Sequence, residues 1–319
     1  MKTILIALIF ALMLPFYSMS NNSITTIPFQ IVRNLVIVQA SVNGKDGLFI
    51  IDTGVKDIIL NNQYFTGKST GEKFYGITGS EMEKEVNFIK MNLGGFAKQG
   101  FAVIADFSAL ENISGLNLYG VVGNSFFKNC EVVFDYTFQE VTIYQLDRKG
   151  NRLDSKYIHQ NPLDTLSFTF ENGIPYVEVN AKDRLLRMSV DSGATANVMN
   201  IKEMDQQNYE MIPLTDHSFA SFGSKKVSVK TLSIDNLMVG NLFCPPMKTL
   251  FVNLDHINKS QSGQELDGIL GYEFMSNFRV AINYRKKEIY LWNRDTVELQ
   301  WALASKKKAN NVMIKLFTY

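Results

Sequence analysis

Cysteine, histidine and excess charge of either sign are all scarce in this chain of 319 residues. It has two cysteines and three histidines, and its formal net charge is +1. The histidines have no second ligand at metal spacing, so we expect no metal site. A net charge near zero gives no electrostatic basis for binding nucleic acid, which requires a basic face. The cysteines, Cys130 and Cys244, could form one disulfide or remain buried thiols, and only geometry distinguishes these alternatives.

Long apolar runs are absent after the first 20 residues. The N-terminus has one lysine, an apolar run from Ile4 to Leu14, and then the small residues Ser18 and Ser20, which is the pattern of a secretory signal peptide. The run is shorter than the ~20 residues that a membrane helix needs. We therefore expect residues 1–20 to be removed on export to the periplasm, the cell envelope or the medium, leaving no stable membrane insertion. A retained N-terminal anchor is the alternative.

Alternation of apolar and polar residues dominates the rest of the sequence. Residues 35–52 alternate around the pair Asn43-Gly44, which predicts a β-hairpin with its turn at this pair. Residues 177–191 repeat the pattern, with residues 179–183 in the place of residues 42–46. These segments predict an all-β fold with two or three short helices.

The two halves of the chain repeat each other over more than a hundred residues. Residues 118–145 and 266–293 both run glycine, two branched aliphatic residues, glycine, a short segment typical of a helix, a strand, a turn and a strand. Two long copies indicate a duplicated domain rather than a solenoid. The predicted organisation is a signal peptide at 1–20, an N-terminal lobe at 21–148, a linker at 149–162, a C-terminal lobe at 163–297, and a tail at 298–319 that could add a strand.

A short Asp-Thr/Ser-Gly motif follows an apolar strand in each copy. The motifs are Asp52-Thr53-Gly54 and Asp191-Ser192-Gly193, and each is followed by a Gly-aliphatic-aliphatic-Gly segment, at residues 120–123 and 268–271. One such motif is a weak signal, but the paired set resembles the aspartic peptidases in their two-lobed, single-chain form. Each lobe is most similar to a retropepsin-like protomer, as in exported bacterial members. The resemblance implies two acid-protease β lobes related by a pseudo-twofold axis, with a cleft between them.

The resemblance also implies a role for each motif residue. Asp52 and Asp191 would form the catalytic dyad, because two carboxylates about 3 Å apart cannot both ionise and share one proton. Gly54 and Gly193 would allow the tight turns, and the hydroxyls of Thr53 and Ser192 would hydrogen-bond across the pseudo-twofold axis. The implied function is an exported, monomeric aspartic endopeptidase that hydrolyses extended polypeptides with an activated water and needs no metal or organic cofactor.

The residue after each motif departs from the pepsin-like pattern. Pepsin-like enzymes commonly have Ser or Thr there, whereas this chain has Val55 and Ala194. Loss of a hydrogen bond to an ionised carboxylate should raise its pKa, so we expect activity to extend to weakly acidic or near-neutral pH. Val55 also crowds the loop. This crowding leaves open a second hypothesis, that the protein is a weak or inactive member of the acid-protease fold that binds peptides without cutting them.

Two segments are candidates for flaps that clamp an extended peptide and exclude water. In the first copy the segment is residues 73–84, and its candidate substrate-binding residues are Tyr75, Gly76, Ile77, Thr78 and Gly79. In the second copy it is residues 219–227, with Phe222 and Gly223. An ordinary surface hairpin is the alternative for both segments.

Overall fold

The computed structural model describes residues 23–75, 81–154, 161–205, 211–214, 217–219, 227–260 and 264–294. The signal peptide predicted at 1–20 and the extra strand predicted at 298–319 lie outside these residues, so both stay predictions. No helix in the described part of the chain is both long and apolar enough to cross a bilayer.

The first half of the chain consists of strands joined by tight turns, with two short helices. Buried and exposed residues alternate along strands such as Ile24–Val32, as expected for strands that face the core on one side. Its elements are β1 Ile24–Val32, β2 Leu35–Val42, β3 Lys45–Ile51, β4 Ile58–Asn61, β5 Lys68–Tyr75, β6 Glu81–Leu93, β7 Phe96–Ala105, α1 Ser108–Ser114, β8 Leu118–Val122, α2 Asn124–Phe127, β9 Cys130–Asp135 and β10 Glu140–Gln145.

The second half has the same character and confirms the all-β prediction. It includes one 3-10 helix, Ile201–Asp205. Its other elements are β11 Asp164–Ser167, β12 Thr169–Glu171, β13 Ile174–Ala181, β14 Arg184–Val190, β15 Asn197–Asn200, β16 Met211–Pro213, β17 His217–Phe219, β18 Val227–Ile234, β19 Leu237–Val239, β20 Leu242–Phe243, β21 Met247–Val252, α3 Asp255–Ser260, β22 Gly268–Leu270, α4 Tyr272–Met275, β23 Phe278–Asn283 and β24 Glu288–Asn293.

Both predicted hairpins form, but the second turn is displaced from its predicted place. Asn43 and Gly44 have φ values of +53° and +81°, and Val42 pairs with Lys45, as in a two-residue hairpin turn. In the second copy the strand continues through Asn180 to Ala181, and the turn is made by residues 182 and 183. The predicted correspondence of Asn43 with Asn180 is therefore wrong by two residues, because strand pairing decides where the turn falls.

The two halves share one strand topology around their Asp motifs. In the first half β3 pairs parallel to β8, β8 pairs antiparallel to β4, and β4 pairs parallel to β7. In the second half β14 pairs parallel to β22, β22 antiparallel to β15, and β15 parallel to β21. Each Asp motif thus follows a strand that lies beside a Gly-aliphatic-aliphatic-Gly segment.

The halves are joined through equivalent strands. Strand β9 pairs antiparallel with β23, so that Val133 faces Ala281, Val132 faces Ile282, and Phe134 faces Val280. This register is symmetric about the Val133–Ala281 pair, which places a local pseudo-twofold axis there. Strands β23, β24 and β11 thereby extend the sheet formed by strands β1 to β10. One hydrophobic core contains buried residues of both halves.

Candidate active site

Asp52 and Asp191 occupy equivalent positions, each directly after a buried strand. The N–H of Asp52 donates to the carbonyl of Val122 at 3.1 Å, and the N–H of Asp191 donates to the carbonyl of Leu270 at 2.9 Å. Each acceptor belongs to a Gly-aliphatic-aliphatic-Gly segment. The parallel pairing of strands therefore fixes where each Asp loop begins.

Four hydrogen bonds link the two Asp loops across the local axis. The hydroxyl of Thr53 donates to the carbonyl of Val190 at 2.8 Å and accepts the N–H of Ser192 at 3.0 Å. The hydroxyl of Ser192 donates to the carbonyl of Ile51 at 2.8 Å and accepts the N–H of Thr53 at 3.2 Å. Both side chains are buried, so each loop is held against the other by bonds that water does not reach.

The glycine of each motif lies against the carboxyl group of the opposite Asp. A Cβ atom at Gly54 would be 2.2 Å from Oδ2 of Asp191, and one at Gly193 would be 2.3 Å from Cγ of Asp52. Separations this short are not compatible with a side chain. Glycine is therefore required at both positions for the two carboxyl groups to approach each other.

The second pair of glycine motifs allows close packing of backbone. A Cβ atom at Gly123 would be 2.3 Å from the carbonyl oxygen of Asp57, and one at Gly271 would be 2.4 Å from that of Ala196. The first glycine of each segment, at 120 and 268, is similarly close to a carbonyl oxygen, at 2.3 and 2.6 Å. These glycines let the rest of each Asp loop fold back beside the buried strand.

The environment of the two carboxyl groups disfavours ionisation of both at the same time. Asp52 is 8% exposed and Asp191 is half-buried. Burial raises the pKa of Asp52 well above its usual range, and the charge of Asp191 and a hydrogen bond with that residue raise it further. Burial also raises the pKa of Asp191. The pair is therefore expected to hold one proton over an acidic to weakly acidic range.

Backbone N–H groups partly offset this effect. The N–H of Gly54 donates to Oδ1 of Asp52 at 2.8 Å, and that of Gly193 donates to Oδ1 of Asp191 at 2.7 Å. The Gly54 N–H also acts on Asp191, where it lowers the pKa. These donors stabilise one negative charge on the pair while burial opposes a second.

The side chains of Val55 and Ala194 serve packing. Val55 is partly buried against an apolar cluster in the first half, and Ala194 against a cluster in the second. The N–H of Val55 still lowers the pKa of Asp52. The crowding that suggested an inactive protein is thus accommodated by the core, and support for the carboxylates comes from the backbone.

Sequence reasoning did not single out Asn124, which the structure places beside the dyad. Asn124 is 1% exposed, and its amide contacts both halves: it donates to the carbonyls of Thr53 and Gly173 and accepts from the hydroxyl of Tyr284. The corresponding residue of the second copy is Tyr272. A polar residue where the other copy has an aromatic one was the available signal.

The flap candidates fall at the edge of, or beyond, the described residues. Tyr75 is the last residue of β5, and its backbone pairs with Glu81. Gly76, Ile77, Thr78, Gly79, Phe222 and Gly223 lie outside the described residues. Their assignment to flaps stays a prediction.

The described residues contain no group of three or more His, Cys, Asp or Glu side chains arranged to hold a metal ion. Cys130 and Cys244 are both buried free thiols. Geometry thus decides the alternative that the sequence left open, in favour of thiols rather than a disulfide.

Comparison with known proteins relates the second half to a protease family. Residues 177–274 match a family described as aspartyl protease, and this segment contains Asp191, Ser192, Gly193 and residues 268–271. A search of the curated proteins found no match to this chain. The match supports an aspartic protease in general terms, and the repeated topology and the bonds between the Asp loops connect the first half to the matched segment.

Proposed function

We propose that this protein is an exported aspartic endopeptidase of the two-lobed, retropepsin-like type. The observation that carries the proposal is the pair of facing carboxyl groups, Asp52 and Asp191. They come from equivalent loops that hydrogen-bond to each other. Burial raises the pKa of both carboxyl groups, and the charge of Asp191 raises the pKa of Asp52 further. A purely structural pair of buried acids would be costly to keep, because it destabilises the fold at neutral pH.

The chemistry follows from one shared proton. The ionised carboxyl takes a proton from a water held between the two groups, and that water attacks the carbonyl carbon of a peptide bond. The protonated carboxyl donates to the carbonyl oxygen, where negative charge develops. As the C–N bond breaks, the proton taken from water is passed to the leaving nitrogen, and the hydroxyl formed from the carbonyl oxygen returns its proton to the other carboxyl group. Neither Asp is acylated, and both groups return to their starting protonation state.

The proposed substrate is an extended polypeptide, since a strand-like chain exposes its backbone carbonyls to such a dyad. Both carboxyl groups come from one chain, so the dyad is complete without a partner subunit, and the proposed reaction uses no metal or organic cofactor. Export is proposed from the N-terminal sequence, and identification of the N-terminal residue of the secreted protein would test it. A bacterial source is proposed from the resemblance.

The test is cleavage of a mixed peptide library by the mature protein between pH 3 and pH 8, with Asp52→Asn and Asp191→Asn measured beside it. Wild type should cut, and each variant should lose activity by about 10³-fold or more while remaining folded. Raised pKa values predict activity that extends above the pH at which an ordinary Asp ionises, about 3.9, because the pair keeps its proton to higher pH.

Two outcomes would contradict the proposal. Cleavage that persists in a folded Asp191→Asn variant would show that another group does the chemistry. A folded wild type that cuts nothing across the pH range would favour a peptide-binding protein instead.

A further inference from the structure

The peptide group between Thr53 and Gly54 lies between the dyad and a buried amide. Its carbonyl accepts a hydrogen bond from Nδ2 of Asn124 at 2.6 Å, and its N–H donates to Oδ1 of Asp52 at 2.8 Å. The carbonyl and N–H of a trans peptide are conjugated and point in opposite directions. A group that fixes the orientation of the Thr53 carbonyl therefore also fixes the direction of the Gly54 N–H.

The partners of Asn124 fix the orientation of its amide. Its second N–H donates to the carbonyl of Gly173 at 2.8 Å, and its Oδ1 accepts the hydroxyl of Tyr284 at 2.5 Å. Backbone carbonyls can only accept hydrogen bonds, so the nitrogen must face Thr53 and Gly173. Gly173 and Tyr284 both belong to the second half, so that half sets the position of the amide.

Among the residues that the structure describes, this arrangement is found on the Asp52 side of the dyad and not on the Asp191 side. In the second copy the N–H of Gly193 also donates to its own carboxylate, that of Asp191. The residue equivalent to Asn124 is Tyr272, whose ring instead packs edge-on against Tyr136 at 5.8 Å. Within the described ranges no side chain donates to the carbonyl of Ser192. The repeat is thus broken at one residue beside the dyad.

We propose that Asn124 is a positioning residue for the dyad: a chain of hydrogen bonds from Tyr284 through Asn124 and the Thr53–Gly54 peptide aims the Gly54 N–H at the carboxyl groups. The inference rests on the proposed function. Hydrogen bonds in such a chain polarise one another, so the donor nearest the carboxylate is strengthened by those behind it.

This series of hydrogen bonds stabilises the singly ionised dyad, because the Gly54 N–H lowers the pKa of both carboxyl groups. Burial raises the pKa values of the Tyr136 and Tyr284 phenols, and the charges of Asp191 and Asp52, respectively, raise them further, so both phenols stay neutral in acid. Lys56, on the same loop, is exposed to solvent. Asp57, also on this loop, is half-buried, and it is the same in wild type and in the three variants proposed below.

The test is the pH dependence of peptide cleavage in three variants. Asn124→Leu keeps the branching of the side chain and removes the donors, and Tyr284→Phe removes only the hydroxyl that donates to the amide oxygen. Tyr136→Phe is the matched control, because Tyr136 is the counterpart of Tyr284 and its hydroxyl meets the sulfur of Met275 at 3.9 Å. Far-ultraviolet circular dichroism checks that each variant is folded.

A weakened donor raises the pKa at which the dyad first ionises, so the acidic limb of kcat should move to higher pH. We expect a shift of about 0.5 to 1 unit and an about tenfold fall in kcat for Asn124→Leu, with KM within about threefold. Tyr284→Phe should shift the limb by about 0.3 unit in the same direction, and Tyr136→Phe should leave it in place.

An unmoved limb in folded Tyr284→Phe would overturn the inference, as would an equal shift in Tyr136→Phe, which would indicate general packing. If Asn124→Leu does not fold, Tyr284→Phe decides alone, since it keeps every backbone partner. If wild type cleaves peptides through its dyad but the acidic limb of kcat does not move in the variants, only this inference is refuted. Wild type that fails to cleave refutes the proposed function.

Discussion

The hydroxyl of Thr53 should contribute far more to stability than its size suggests. Replacement by Val keeps the shape and removes one oxygen, which donates to the carbonyl of Val190 at 2.8 Å and accepts the N–H of Ser192 at 3.0 Å. The residue is fully buried, so water cannot replace either partner. Each of the two orphaned groups costs about 1 to 3 kcal/mol, so we expect Thr53→Val to lower the free energy of unfolding by about 2 to 6 kcal/mol.

Urea unfolding followed by circular dichroism measures this difference. The matched control is Thr26→Val, because Thr26 is exposed and its hydroxyl shares one hydrogen bond of 3.1 Å with that of Thr142. The control should change stability by less than about 0.5 kcal/mol. A loss in Thr53→Val no larger than in the control would refute the view that these bonds hold the Asp loops together.

Two further predictions concern the dyad and its glycines. Burial raises the pKa of Asp52 in the folded protein, so its carboxyl favours folding most below the unfolded pKa of about 3.9, and that contribution is lost as pH rises. Thermal unfolding should therefore show Asp52→Asn to be more stable than wild type at pH 7, with a smaller gain at pH 4. A gain that does not depend on pH would contradict this. In peptide cleavage assays, Gly193→Ala should lose activity by about 100-fold or more, because its Cβ would lie 2.3 Å from Cγ of Asp52. In the control Gly115→Ala the new Cβ meets nothing within 4 Å, although its φ of +73° strains an alanine there; this variant should lose some stability and stay active, and equal losses of activity in both would argue against a specific clash at the dyad.

Much of the fold can be predicted from the sequence because the information is local. Alternation of apolar and polar residues identifies strands wherever one face is buried. The pair Asn43-Gly44 predicts the position of the first hairpin turn. The second hairpin shows the limit of this reasoning. Its turn at residues 182 and 183 lacks that signal, and the pairing of β13 with β14 decided its place.

The sequence by itself determined that the chain is a duplicated all-β protein and which residues carry its paired motifs. Motif spacing and the period of apolar residues can be read along the sequence without knowledge of the fold. Only the tertiary structure decided what meets across the halves. Asn124 and Tyr284 are 160 residues apart and hydrogen-bond to each other, and both cysteines are buried as free thiols. The contact between Asn124 and Tyr284 depends on how β9 and β23 pair, and no local pattern encodes the register between two distant strands.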